Sequence, residues 1–118
     1  MKLQALIFDV DGTIADTEEV HRQAFNAAFL AMDLGWNWSE AEYMALLRVS
    51  GGPERIAHYV ATLRAKPEEK QRLAGLVAAI HREKTRLYYE LISDGRAAAR
   101  PGVARLMNEA RAAGVKLA

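Results

Sequence analysis

The sequence contains no cysteine. Disulfide bonds, thiolate nucleophiles and cysteine-ligated zinc are therefore excluded, and nothing indicates an oxidising compartment. An excess of one charge is also missing, because 16 Lys and Arg residues stand against 15 Asp and Glu residues, for a formal net charge of +1. This near-balance argues against a nucleic-acid surface that depends on bulk charge. Any catalysis must use carboxylates, hydroxyls, His, Lys or Arg.

Long hydrophobic runs are missing as well. No apolar run approaches the roughly 18 residues that a membrane span needs, and the N-terminus passes from Lys2 through one short apolar stretch to Asp9, unlike a secretory signal. We therefore expect no membrane partner and a cytoplasmic protein, and the sequence indicates no oligomeric state. Hydrophobic residues make up 51% of the chain, so a folded core is expected.

The order of apolar patterns predicts an α/β fold with a helical insertion. Residues 3–8 include the unbroken run Leu6, Ile7 and Phe8, which is typical of a strand buried on both faces of a parallel sheet. A last helix is predicted between Pro101 and Gly114, and a second strand begins directly after it.

Helical spacing dominates the sequence between these two strands. Asp16 with Glu19 and Ser39 with Glu42 have the spacing of capping boxes, and Trp38 is placed to pack on Tyr43 as a hydrophobic staple. Four helices are predicted: from the cap at Asp16 to Gly35, from the cap at Ser39 to about Arg48, from Pro53 to about Ala65, and one long helix from Pro67 to about Leu91.

Two strands cannot cover both faces and both edges of a buried parallel sheet. We therefore expect the chain to be the N-terminal portion of a longer protein, divided into a first core strand and catalytic loop (1–15), a helical insertion (16–95) and a return to the core (96–118). The alternative is a helical domain with one stray strand.

Two carboxylates, Asp9 and Asp11, follow the first strand, with Gly12 next to them. Ligands in open α/β sheets bind beyond the carboxyl ends of strands, and alternate residues of a strand point to the same side. Two like charges so close together favour a hard divalent cation, most simply Mg²⁺, which would also neutralise a phosphate. The alternatives are a plain loop and a calcium loop, although the calcium register would put Ile7 at the first ligand position.

The motif Asp9-x-Asp11-x-Thr13 resembles the first motif of haloacid-dehalogenase-type phosphohydrolases, and the helical insertion resembles the cap of their helical-cap subgroup. That subgroup includes phosphoglycolate phosphatase and β-phosphoglucomutase. Within it, residues 17–22, 50–56 and 80–85 are most similar to the CbbY group, whose members dephosphorylate xylulose-1,5-bisphosphate. The resemblance implies a Rossmann-like parallel-sheet core, incomplete in this chain, with an inserted α-helical cap.

The resemblance also implies roles for single residues. Asp9 would be the nucleophile that forms an aspartyl-phosphate, and Asp11 would be the general acid and base. A side-chain oxygen of Asp9 and the backbone carbonyl of Asp11 would bind Mg²⁺, and Thr13 would orient the loop. The family's phosphate-binding Ser or Thr, its Lys and its late acidic pair are not supplied after Gly114, so the 118 residues alone are expected to be inactive.

The expected activity of the full-length protein is that of a magnesium-dependent phosphatase acting on a small phosphorylated sugar. Two alternatives remain open. A phosphosugar mutase would return the phosphoryl group to the sugar instead of to water, and a non-catalytic protein would use the helical insertion as an interaction module.

Four cap residues are candidates for substrate contacts, each with a structural alternative. Glu18 could stabilise the helix dipole, His21 could be a packed histidine, and Tyr43 could serve only as the staple partner of Trp38. Arg55, beside the free backbone donors of residues 51 and 52, is predicted to bind a second phosphate.

Lys84 resembles a cap lysine near the substrate but is predicted to be a surface residue. Hinges for cap closure are predicted near Asp16 and Gly95, because small or polar residues there allow the backbone to swing.

Overall fold

The computed structural model describes residues 2–118. Its elements are, in chain order, β1 (Ala5–Leu6), α1 (Glu18–Ala31), α2 (Glu40–Leu46), α3 (Gly52–Thr62), α4 (Pro67–Ala74), α5 (Val77–Ser93), α6 (Val103–Ala112) and β2 (Lys116–Leu117). The molecule measures 61 × 32 × 22 Å with a radius of gyration of 18.5 Å. A compact domain of this length would have a radius of gyration of roughly 13 to 14 Å, so the chain is elongated.

One end of the molecule is a small parallel sheet. β1 pairs with β2 in the register Ala5 to Lys116 and Leu6 to Leu117, and α6 packs on β2. The predicted parallel pairing is present, but the expected burial of the first strand on both faces is wrong for these residues, since Ile7 is 85% exposed. Within residues 2–118, β1 has a single neighbouring strand. The sheet is therefore an incomplete α/β core.

The other end is a helical bundle with its own core. α1 lies along α5, α3 packs against α4 and α5, and α2 packs against α1. Phe25, Phe29, Trp38, Ile56 and Ile80 are fully buried in the bundle. Burying such a side chain contributes about 1.5 to 3 kcal/mol each, so the stability of the chain comes mainly from this bundle.

The start of α2 forms as the sequence predicts. The Ser39 hydroxyl accepts a hydrogen bond from the Glu42 amide, and the Glu42 carboxylate accepts one from the Ser39 amide. The rings of Trp38 and Tyr43 are stacked with centroids 6.2 Å apart. The capping box and the hydrophobic staple are therefore confirmed, although the helix ends at Leu46 and not near Arg48.

The predicted capping box of α1 is wrong. The N-cap is Thr17, and its side chain makes no cap hydrogen bond. Glu19 instead forms an ion pair with Arg22, whose Nη2 lies 2.6 Å from Oε1. Because the cap is Thr17, the third helical residue is Val20, which has no carboxylate to return to the cap.

The predicted long fourth helix is also wrong. It is divided into α4 and α5, with Gly75 and Leu76 between them. Glycine is the poorest helix former after proline, by about 1 kcal/mol relative to alanine, so the division at Gly75 has a local cause. None of the helices formed by residues 2–118 is long and apolar enough to cross a membrane.

Candidate active site

The loop that follows β1 is a tight turn. The Val10 carbonyl accepts hydrogen bonds from the amides of Thr13, Ile14 and Ala15, and the Gly12 amide donates to the Ala15 carbonyl at 2.9 Å. Gly12 has a φ of +72°, a conformation that glycine adopts without steric cost. The turn therefore presents its side chains beyond the carboxyl end of β1, where the sequence predicts the active site.

Each predicted catalytic carboxylate accepts a hydrogen bond from a threonine hydroxyl. Thr13 Oγ1 lies 3.2 Å from Asp9 Oδ2, and Thr17 Oγ1 lies 3.2 Å from Asp11 Oδ1. Thr17 is buried, 5% exposed, whereas both aspartates are exposed. Asp11 is thus held by a fixed side chain at the start of the cap, which is a contact that sequence reasoning missed.

The donor chemistry of the loop suits Mg²⁺. This ion prefers hard oxygen ligands and commonly takes one or two protein carboxylates together with water and substrate phosphate. In residues 2–118 no group of three or more His, Cys, Asp and Glu side chains could hold a metal ion. Asp9 and Asp11 are two carboxylates of the kind that Mg²⁺ binds, and the remaining ligands would be water and phosphate.

A buried lysine lies at the centre of the cap. Lys84 is only 7% exposed, so its predicted surface location is wrong. Its Nζ lies 2.8 Å from His21 Nδ1, 4.8 Å from the centroid of the Phe25 ring and 5.0 Å from that of the Tyr88 ring. Its ammonium group therefore lies among aromatic rings and a neutral acceptor, and none of the ion pairs found in residues 2–118 includes it.

Burial and charge shift the pKa values of this pair. Burial first, and then the Arg55 charge, lowers the pKa of Lys84 to about 8, with Glu18 acting in the opposite direction. Burial and the charge of Lys84 lower the pKa of His21. Because Nδ1 of His21 accepts from Lys84, we assign the ring proton to Nε2. The imidazole stacks on Tyr88 with centroids 4.2 Å apart.

Glu18 and Tyr43 contact each other across the cap. The Tyr43 hydroxyl donates to Glu18 Oε2 at 3.1 Å. Burial, and then the Glu18 charge, raises the pKa of Tyr43. Arg55 lies with Cζ 5.5 Å from the centroid of the Tyr43 ring. Three of the four predicted cap residues are therefore in one cluster, and Tyr43 has a polar contact in addition to its packing role.

Arg55 is tied to the backbone that precedes α3. Its Nε donates to the Leu46 carbonyl at 3.1 Å and its Nη2 to the Val49 carbonyl at 3.0 Å. A Cβ atom added to Gly51 would lie 2.0 Å from a carboxylate oxygen of Glu54. Binding of a phosphate at this helix start stays a prediction, and it requires the Glu54 carboxylate to move away.

Several cap residues lie near the turn that carries Asp11. The charge of Asp11 acts on the pKa of both His21 and Tyr88, and a Cβ atom at Gly12 would lie 3.9 Å from Glu18 Cγ. Asp11 therefore shares its surroundings with the cap residues. Sequence reasoning did not single out Tyr88, although its spacing of four residues from Lys84 puts both on one helix face.

An Asp-x-Asp turn beyond a parallel strand, followed by a helical insertion that returns to the same sheet, is typical of phosphate-processing hydrolases. The sequence model described as haloacid dehalogenase-like hydrolase matches residues 3–118. The chain therefore belongs to the haloacid dehalogenase-like hydrolases, and the resemblance found in the sequence is confirmed.

Within this family the chain is similar to proteins named CbbY. It is 48% identical to Protein CbbY from Rhodobacter capsulatus over 118 residues, which are 100% of this chain and 50% of that protein. CbbY from Rhodobacter sphaeroides, solved in complex with phosphate, is 44% identical with a TM-score of 0.76, over 98% of this chain and 49% of that one.

A mutant of the Rhodobacter sphaeroides protein has been solved in complex with xylulose-(1,5)bisphosphate, and it matches with a TM-score of 0.75 and the same coverage. The chain spans about half the length of the relatives it matches.

Proposed function

We propose that these residues form the nucleophile loop and the cap of a magnesium-dependent phosphatase that acts on a small phosphorylated sugar of the xylulose-1,5-bisphosphate type. The observation that carries the proposal is the 44% identity, over 98% of this chain, to a CbbY solved with xylulose-(1,5)bisphosphate. The proposal includes a cytoplasmic location, which the cysteine-free composition favours.

In the proposed reaction, a carboxylate oxygen of Asp9 forms a bond to phosphorus while the bond from phosphorus to the sugar oxygen breaks. Asp11 gives a proton to the departing oxygen and later takes one from the water that hydrolyses the aspartyl-phosphate. The Thr17 hydroxyl, which donates to Asp11 Oδ1, keeps the second oxygen of Asp11 free for this transfer.

Asp9 and Asp11 would hold the magnesium ion. When bound, the ion supplies positive charge that offsets the repulsion between the two carboxylates and the phosphate. The exposure of both aspartates leaves room for the water ligands that Mg²⁺ retains.

The cap would recognise the far end of the sugar phosphate. Lys84 offers a buried ammonium group close to Arg55, and Glu18 with Tyr43 offers a carboxylate and a hydroxyl for sugar hydroxyls. Closing these groups over the loop would exclude bulk water and strengthen each polar contact.

The test uses a chimera in which residues 1–118 replace the matching half of the Rhodobacter capsulatus protein, assayed with Mg²⁺ and a panel of phosphosugars. We expect release of inorganic phosphate, and we expect Asp9→Asn to abolish it without changing the circular dichroism spectrum. Asp33→Asn, at an exposed residue just beyond α1, is the matched control. Isomer formation would favour the mutase, and failure of the folded chimera to release phosphate would contradict the proposal.

A further inference from the structure

The two segments that connect the core to the cap are hydrogen-bonded to each other. The Asp16 amide donates to the Ala98 carbonyl at 3.0 Å, and Ala15 and Ala99 form an antiparallel bridge. The segment that leaves the core and the segment that returns to it therefore run side by side. Their pairing begins directly after the turn that carries the two catalytic aspartates.

Arg100 extends this pairing into the turn itself. Its backbone amide donates to the Ile14 carbonyl at 2.8 Å, and its guanidinium Nη1 donates to the Gly12 carbonyl at 2.5 Å. Both acceptors lie 86 to 88 positions earlier in the chain. A charged donor makes a stronger hydrogen bond than a neutral one, and the guanidinium binds the one residue of the turn with a left-handed backbone, Gly12.

The carbonyl of Gly12 belongs to the peptide group that joins Gly12 to Thr13, so a contact that holds this carbonyl also holds the backbone of Thr13, whose hydroxyl donates to Asp9 Oδ2. Without an external donor, the turn would be held by its own hydrogen bonds to Val10 and Ala15 and by the hydroxyl of Thr17. The guanidinium adds a contact from the returning segment, which restricts rotation of the peptide group between Gly12 and Thr13.

We propose that Arg100 is a positioning residue for the nucleophile loop: its guanidinium holds the Gly12 carbonyl and so fixes the Asp9 and Asp11 carboxylates for in-line attack. This inference rests on the proposed phosphatase function. Arg100 acts through the loop and does not contact the substrate. The consequence is that its loss changes the geometry of the reaction more than the binding of the sugar.

The first test is steady-state kinetics of the chimera carrying Arg100→Ala, Arg100→Lys or Arg105→Ala. Arg105 is an exposed arginine on α6 that pairs with Glu109, so its variant is the matched control. Since a displacement of about 1 Å can reduce turnover about 100-fold, we expect Arg100→Ala to lower kcat about 10- to 100-fold with KM within about threefold. Arg100→Lys, which can donate one hydrogen bond to the same carbonyl, should recover most of the loss.

The second test is amide hydrogen exchange, followed by NMR on the 118-residue chain, which does not depend on activity. Arg100→Ala should accelerate exchange at the amides of Gly12 and Asp16 and leave those of α5 unchanged. An unchanged kcat in a folded Arg100→Ala chimera would overturn the inference, and so would unchanged loop exchange. If the unmodified chimera has no activity, the proposed function fails, and the exchange measurement decides on the contact with Gly12 by itself.

Discussion

Replacing Lys84 by methionine is expected to stabilise the chain. Methionine has a similar length and fits an apolar pocket without a charge. At neutral pH the folded chain carries a protonated Lys84 whose pKa is lowered from 10.5 to about 8. Each unit of difference is equivalent to about 1.4 kcal/mol, so charging this side chain in the fold costs about 3 kcal/mol.

One contact reduces this gain. The Lys84 side chain donates to His21 Nδ1 at 2.8 Å, and methionine leaves this acceptor without its donor, at a cost of about 1 to 2 kcal/mol. We therefore expect Lys84→Met to raise the free energy of unfolding by about 1 to 2 kcal/mol at pH 7.

The pH dependence of the stability difference between Lys84→Met and wild type shows whether the buried charge of Lys84 causes it. Between pH 8 and 10.5 the unfolded chain binds the Lys84 proton more strongly than the folded chain does, so wild-type stability rises with pH across this window. The advantage of Lys84→Met should be complete below pH 8 and shrink towards pH 10.5. Urea denaturation of both proteins at pH 7 and pH 10 measures this difference. A variant that is less stable than wild type at pH 7, or an advantage that does not shrink, would refute the reasoning.

Two further predictions concern stability. The pKa of His21 is lowered in the folded chain, so on acidification the unfolded chain takes up this proton at a higher pH than the folded chain does. The free energy of unfolding should therefore fall as the pH drops below 6.5. In His21→Asn, part of this loss between pH 7 and pH 5 should disappear, as measured by urea denaturation at both pH values. Ser39→Ala removes the hydroxyl that accepts from the Glu42 amide and should lower the free energy of unfolding by about 1 kcal/mol. Thermal unfolding measures this change, and an unchanged Tm would show that the cap does not stabilise the chain.

Local sequence patterns correctly predicted most of the features that depend on contacts between residues close together in the chain. The helix starts at Ser39 and Pro67 depend on neighbouring residues, and the loop with Asp9 and Asp11 was found from its motif spacing. The pairing of Ala5 with Lys116 is not local, and it was predicted from the continuous apolar run of the first strand. The division at Gly75 was not predicted, although the glycine within the apolar stripe was a visible local signal for it.

The α1 cap shows where such patterns fail. Asp16 and Glu19 have the same spacing as Ser39 and Glu42, but Arg22 takes the Glu19 carboxylate and also donates to the carbonyl of Trp38, 16 positions away. A contact over that distance is decided by how α1 packs against the segment before α2, and the spacing of two residues does not encode it.

Lys84 shows the same limit for the candidate site. A single lysine in an apolar stripe is typical of a side chain that extends to the surface, and only the packing of α1 against α5 places His21 and Phe25 over it. Its burial could therefore not be derived from the spacing on its own helix.

The cap side and the turn side of the candidate site are held in place by different interactions. Tyr43 and Lys84 are buried in the helical bundle, and the half-buried His21 is bonded to Lys84, so the packing of the bundle itself positions these groups. Asp9 and Asp11 lie on an exposed turn, and each carboxylate accepts one threonine hydrogen bond. Substitutions in the cap cluster should therefore alter stability and its pH dependence, whereas substitutions around the turn should alter turnover with little effect on stability. Under the proposed function, the rigid bundle would bind the sugar phosphate, and a few polar contacts at the turn would align the reacting carboxylates.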